Sequence, residues 1–170
     1  DKEVVLHGAG ISLDYYSLQP YPKNDKVHFL YLGRIMREKG MDELFKAAER
    51  LHEEQEAFVL DLVGFFEDEY KEKVEMLKKK GIVVFHGFQK DPRPFYTAAD
   101  CIVMPSYHEG MSNVNLEAAA TGRPVITSDI PGCREAVEEG KTGYLCKAKN
   151  AESLYRVMKK VLELPVEERE

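Results

Sequence analysis

Apolar residues come along this chain in short continuous runs, separated by stretches in which they recur every third or fourth position. The runs Val27–Leu32, Phe58–Val63, Ile82–Phe85, Cys101–Met104, Val125–Ile126 and Tyr144–Cys146 have the length of buried strands, and Gly33, Gly64 and Pro105 stop three of them. Between them, Met41–Glu53 sets Leu44, Ala47, Ala48 and Leu51 on one helical face, and Glu67–Lys80 does the same with Tyr70, Val74 and Leu77. Val114, Leu116 and Ala118 to Ala120 form a further helix body, ended by Gly122 with Pro124 beyond it. Shorter helices are expected at Phe95–Ala99 and at Arg134–Glu139, the latter stopped by Gly140. A closing helix runs over Ala151–Leu164, with Asn150 at its N-cap. Strand and helix patterns alternate throughout, which predicts a doubly wound, Rossmann-like α/β fold: about six parallel strands with helices on both faces. Residues 1–26 read as a linker segment with a short first strand at Val4–Leu6, and residues 27–165 as the folded domain.

Right-handed crossovers bring the loops that follow the strands to the carboxyl edge of such a sheet, where ligands bind. Arg34, Lys39, Phe88, Glu109 and Glu117 all fall on or just after such loops. They are therefore expected to converge on one site, with both glutamates facing the two cations.

Composition narrows the classes. Hydrophobic residues make up 44% and charged residues 32% of 170, as in one soluble globular domain of ordinary size. The net charge of −6 without a basic stripe argues against nucleic acid, while leaving room for a nucleotide held by a few local cations. Cys101, Cys133 and Cys146 are odd in number and lack metal-ligand spacing, so no disulfide framework or zinc site is expected and a reducing cytoplasm fits. No apolar run reaches membrane-spanning length, and no signal peptide is read. The chain starts at Asp1 without a methionine, as an excised piece would.

The chemistry concentrates between His108 and Ile126. Glu109 lies in a loop after a strand, Glu117 one turn into the next helix. The residues between, Gly110 to Val114, supply the backbone N–H groups that a helix N-terminus leaves unpaired. Such an end carries about half a positive charge and suits a phosphate. By spacing alone, a solvated loop glutamate and a helix glutamate facing water are the better reading. The loop Gly33–Gly40 adds Arg34, Arg37 and Lys39, of which Arg37 reads as plain solvated surface.

Other motifs fail. Gly8-Ala9-Gly10 lacks the third glycine of a dinucleotide loop, since position 13 is Leu13. His108-Glu109 cannot open a zinc-protease motif because position 112 is Ser112. Neither a Walker loop nor a serine elbow is present, and no Asp-x-Asp stands in a suitable loop. His86 and His108 lie near the expected site, with positioning or bland roles.

Glu109-x7-Glu117, followed by AAATGRPVI, resembles the signature of retaining glycosyltransferases of family 4, two-domain enzymes of the GT-B type. The wording is most similar to capsule and exopolysaccharide transferases of bacteria, and the likeness covers almost the whole chain as a C-terminal, donor-binding half. The resemblance implies a nucleoside-diphosphate sugar as substrate, UDP-sugar favoured, with no cofactor and no metal. Arg34 and Lys39, with the helix start at Met111 to Asn113, would replace the metal at the diphosphate, and Glu109 would stand beside the reacting sugar. Arg34, Lys39 and Glu109 are thus the expected catalytic set. Gly33, Phe88, Gly110, Met111, Ser112, Asn113 and Glu117 are expected to bind the donor: Glu117 at the ribose, Phe88 at the base, the backbone of Met111 and Ser112 at the sugar. It also implies a missing N-terminal acceptor-binding half, a saccharide or lipid-linked acceptor, and a cytoplasmic enzyme. Any contact with the inner membrane face would run through that other half, and this half alone would transfer nothing. A sugar-nucleotide epimerase half and a non-catalytic nucleotide-binding module are the alternatives.

Overall fold

Six strands pair in parallel: β1 (Val27–Leu32), β2 (Phe58–Val63), β3 (Val83–Gly87), β4 (Cys101–Met104), β5 (Val125–Ser128) and β6 (Gly143–Cys146), in the order β3-β2-β1-β4-β5-β6. The computed structural model describes residues 10–170. The strand expected at Val4–Leu6 lies outside the described residues. The order runs outward in both directions from β1 and β4, so the chain reverses its winding between them. In doubly wound sheets that switch point opens a crevice at the carboxyl ends of the strands.

Alternation along the strands divides the interior into two layers. Phe29, Tyr31, Leu60, Leu62, Val103 and Ile126 face one side, where helices α1 (Met41–Glu53), α2 (Lys71–Lys79) and α5 (Ala151–Glu163) cover them. Leu30, Val63, Ile102 and Val125 face the other, against Tyr96 of α3 (Arg93–Ala98) and Ala118 of α4 (Asn113–Thr121). Leu44, Ala47, Ala48 and Leu51 are all buried, as their spacing predicts, and α1 packs against α5. Asn150 caps α5 by accepting from the Ser153 N–H at 2.8 Å. A short helix α6 (Val166–Arg169) ends the chain. The three cysteines are free and buried, and burial pushes the Cys133 thiol up to about 11.

Two helices differ from expectation. α2 starts at Lys71 rather than Glu67, because residues 66–68 pair with the loop after β1: Glu67 N–H donates to the Ile35 carbonyl at 3.1 Å and the Asp68 carboxylate accepts from Arg37 N–H. Arg134–Glu139 is a single 3-10 turn, Arg134–Ala136. Beyond it Glu138 N–H donates to Thr142 Oγ1, and the Glu139 carboxylate accepts from Leu145 N–H; these turn bonds replace helical ones.

The segment read as a linker is fastened to the domain. Arg123, only 2% exposed, donates through its guanidinium to the carbonyls of Gln19 and Pro20 on the segment and of Tyr96 and Thr97 on α3. Tyr21 Oη adds a bond to the Asp100 carbonyl at 2.8 Å, and Asn24 bonds the Asp100 carboxylate at 2.8 Å.

Candidate functional site

The loops after β1 and β4 meet at the switch point. Gly40 has φ +78°, and a Cβ there would lie 2.0 Å from the Pro105 carbonyl oxygen, so only glycine lets the two backbones touch. Tyr107 N–H donates to the Glu38 carbonyl at 2.8 Å, a second stitch between the same loops. Lys39 Nζ thereby reaches Glu109 Oε1 at 2.5 Å, and Ser106 Oγ donates to the same oxygen at 2.9 Å. Both side chains of the ion pair are more than four-fifths shielded from solvent. From the far side, the loop after β5 braces Glu109. Gly132, at φ +87°, brings its backbone so close that a Cβ would sit 2.4 Å from the Glu109 carbonyl.

α4 begins beside this pair. Ser112 is its N-cap, its hydroxyl accepting from Asn115 N–H at 3.3 Å, while its own N–H donates to the Gly132 carbonyl at 2.8 Å. That corrects one expectation: the Ser112 N–H is committed to protein and does not face a ligand. The N–H groups of Met111, Asn113 and Val114 have no acceptor among the described residues. They border a cavity of about 300 Å3 lined by Tyr31, Gly33, Arg34, Lys39, Glu109 and the start of α4. Seven of the expected residues, Gly33, Arg34, Lys39, Glu109, Met111, Ser112 and Asn113, line it together; Gly110 sits in the same loop without lining it.

Arg34 is not turned toward Glu109. Its guanidinium pairs with Glu67 at 3.0 Å, with both side chains about half exposed, and its carbonyl accepts from Tyr31 Oη at 2.5 Å. Burial pushes the Tyr31 phenol well above its ordinary range, so it remains a donor. Glu117 also departs from the expected arrangement: it does not face Arg34 or Lys39. It lies one turn along α4 and turns toward α3, where Tyr96 Oη donates to Glu117 Oε2 at 2.6 Å. Burial raises the Glu117 pKa, and hydrogen bonds from Tyr96 and Tyr16 hold it back down. Phe88 is 70% exposed at the end of β3, outside the cavity, its ring edge-on to the exposed Phe65 at 6.4 Å. His86 is tied to Asp61 at 2.8 Å, and Asp61 also holds His28 at 2.7 Å; His108 stays on the surface beside Glu38. Among the described residues no three His, Cys, Asp or Glu side chains gather as metal ligands. No helix among them is long and apolar enough to cross a membrane.

Sequence reasoning passed over Ser106, Glu67 and Tyr96. Ser106, three residues ahead of Glu109 at the strand end, was the most readable of them. Glu67 was hidden in a charged run, and Tyr96 reads as an ordinary core position.

A crevice at a switch point, with cations and a helix N-terminus around it, belongs to an α/β domain of the Rossmann-like kind. The chain belongs to the glycosyl transferases group 1 family, whose model matches residues 18–170. It is 31% identical over 150 residues to a glycogen synthase of Mycobacterium tuberculosis, covering 85% of this chain and 36% of that protein. It is also 27% identical to the capsular polysaccharide biosynthesis glycosyltransferase CapM of Staphylococcus aureus, covering 90% and 43%. Among solved structures, sucrose-phosphate synthase from Thermosynechococcus elongatus superposes with a TM-score of 0.77 at 27% identity, over 94% of this chain and 43% of that one. HepE of Anabaena, determined with UDP and glucose, gives 0.72 at 21% identity over 91% and 46%. The fold is thus the Rossmann-like half of a GT-B enzyme, and the chain spans less than half the length of these relatives.

Proposed function

We propose that this chain is the nucleotide-sugar donor half of a retaining glycosyltransferase that builds cell-surface polysaccharide. The observation that carries the reading is the shielded Lys39 ammonium beside the uncommitted N–H groups of Met111, Asn113 and Val114. Departure of a nucleoside diphosphate builds negative charge on its phosphates, and fixed cations and N–H groups stabilise it without reorganising. Lys39 supplies a point charge and Arg34 a planar fork. These groups, rather than a bound metal, carry the charge in this reading. Glu109 accepts hydroxyls of the donor sugar, Glu117 those of the ribose, and the exposed Phe88 borders the base. HepE, which holds UDP and glucose, supports a UDP-sugar. The acceptor, a saccharide or a lipid-linked one, is held by a second, N-terminal half in the cytoplasm, and membrane contact is made through that half. Positioning the acceptor supplies about 7–11 kcal/mol of such a barrier. The chain alone therefore binds donor and transfers nothing.

Calorimetric titration with UDP and UDP-glucose tests this. Lys39→Ala should weaken both at least tenfold, since a charge-assisted hydrogen bond contributes about 1.5–3 kcal/mol. Glu109→Gln should spare UDP and weaken UDP-glucose. Native-like binding of both ligands by Lys39→Ala would remove the diphosphate from this cavity.

A further inference from the structure

Tyr96 is fully buried in the layer between the sheet and α3, yet its hydroxyl ends on a carboxylate rather than a backbone carbonyl. We propose that Tyr96 is a positioning residue for the donor's ribose: it fixes Glu117 Oε2 so that the remaining acceptor sites of that carboxylate point to the two ribose hydroxyls. The inference rests on the reading of Glu117 as the ribose contact.

The geometry favours an orienting role over simple satisfaction of a buried phenol. Tyr96 cannot move: its carbonyl accepts from Arg123 Nε at 3.0 Å, its ring packs with Leu30, Ile102 and Ala118, and Tyr16 meets it edge-on at 6.0 Å. Glu117, by contrast, is a partly exposed side chain on one turn of helix, with rotamers to lose. A short bond of 2.6 Å from an immobile donor selects one of those rotamers. A carboxylate offers about four lone-pair sites, so one occupied by Tyr96 leaves others for a ligand. The spacing also suits a nucleotide. Glu117 is four residues along α4 from the free Asn113 N–H, about 6 Å at the helical rise, which separates a phosphate from the ribose it esterifies. Two ionisable groups face the carboxylate, Tyr96 from α3 and Tyr16 from the entering segment, and both raise its tendency to stay charged.

The test is calorimetry with UDP and 2′,3′-dideoxy-UDP on the native chain, Tyr96→Phe and Glu117→Gln, from pH 5 to 8. Phenylalanine keeps the ring, so Tyr96→Phe should melt within a few degrees of native. It should bind UDP about five- to tenfold more weakly and the dideoxy nucleotide within twofold of native, less than the loss of a whole charge-assisted hydrogen bond because the Glu117 carboxylate remains. The pH limb adds a readout that mere packing would not move. Ribose binding needs the ionised carboxylate, so affinity falls as pH drops through its pKa. Loss of the Tyr96 bond lets that pKa rise, and the fall should begin at higher pH in Tyr96→Phe. Equal loss for both nucleotides, or native UDP affinity with an unmoved limb, overturns the inference. If Glu117→Gln still discriminates UDP from its dideoxy form as native does, or if native binds neither, the ribose reading itself fails. If Glu117→Gln loses the discrimination and Tyr96→Phe keeps it, only Tyr96 is excluded.

Discussion

Arg34, like Lys39, is a cation of this site that the resting fold keeps paired. Glu67 holds it in a half-exposed pair, so an arriving diphosphate has to displace a carboxylate that also repels it. Exposed pairs contribute about 0.2–1 kcal/mol and are screened by salt. Glu67→Gln should therefore tighten UDP by about two- to fivefold at low ionic strength, and the gain should fade near 0.5 M salt. Calorimetry at both salt levels checks it; weaker binding would mean Glu67 orients Arg34 instead of competing for it. Nothing in the sequence announced this contact. Glu67 sits in a run of charges that reads as a solvated helical face, and it is the pairing of residues 66–68 with Ile35 and Arg37 that brings it beside Arg34. Lys39 and Glu109 were legible through the family resemblance, which residue type, spacing and loop position together carry.

Elements with strong amphipathic patterns declared their bounds. Val27–Leu32, Met41–Glu53, Phe58–Val63 and Cys101–Met104 begin and end where the apolar pattern places them. Where local hydrogen bonds compete with the helix, as at Glu67 and at Glu138–Glu139, the pattern overreaches. The loops carry their own requirement. Gly40→Ala forces a side chain into the left-handed region and against the Pro105 carbonyl, a combination that should cost about 3–4 kcal/mol. For a domain of this length the melting temperature should fall by about 10 °C. Because the same contact carries Lys39 to Glu109, donor affinity should fall as well, read by calorimetry below the melt. A variant as stable as native would show that the two loops separate freely.

At the scale of the whole molecule, the alternation of elements predicted the doubly wound parallel sheet and a site at its carboxyl edge, where the loops carrying Lys39 and Glu109 meet. It could not show which side chains would turn away from the crevice. Glu117 turns to α3, where the Tyr96 hydroxyl donates to it, and Phe88 remains outside the cavity beside Phe65. Nor could it show that residues 19–24 belong to the domain, since a proline-rich stretch without periodicity looks like a tether. What marks the difference is a single buried guanidinium bonded to carbonyls on both sides of a seam.

That seam bears on how halves of such enzymes can be recombined. A chimera that joins a foreign acceptor half at residue 26 discards Gln19 and Pro20. Arg123 then loses two of its carbonyl acceptors while keeping those of Tyr96 and Thr97, a loss of about 2–4 kcal/mol for two hydrogen bonds from a charged group. Such hybrids should express poorly and melt early by calorimetric scanning. Hybrids spliced upstream of Tyr15 should keep the native melt of the donor half, because the native sequence up to the graft point travels with it. The unit of inheritance for this half is then larger than its sheet: it includes the stretch around Gln19 and Pro20 that Arg123 has claimed.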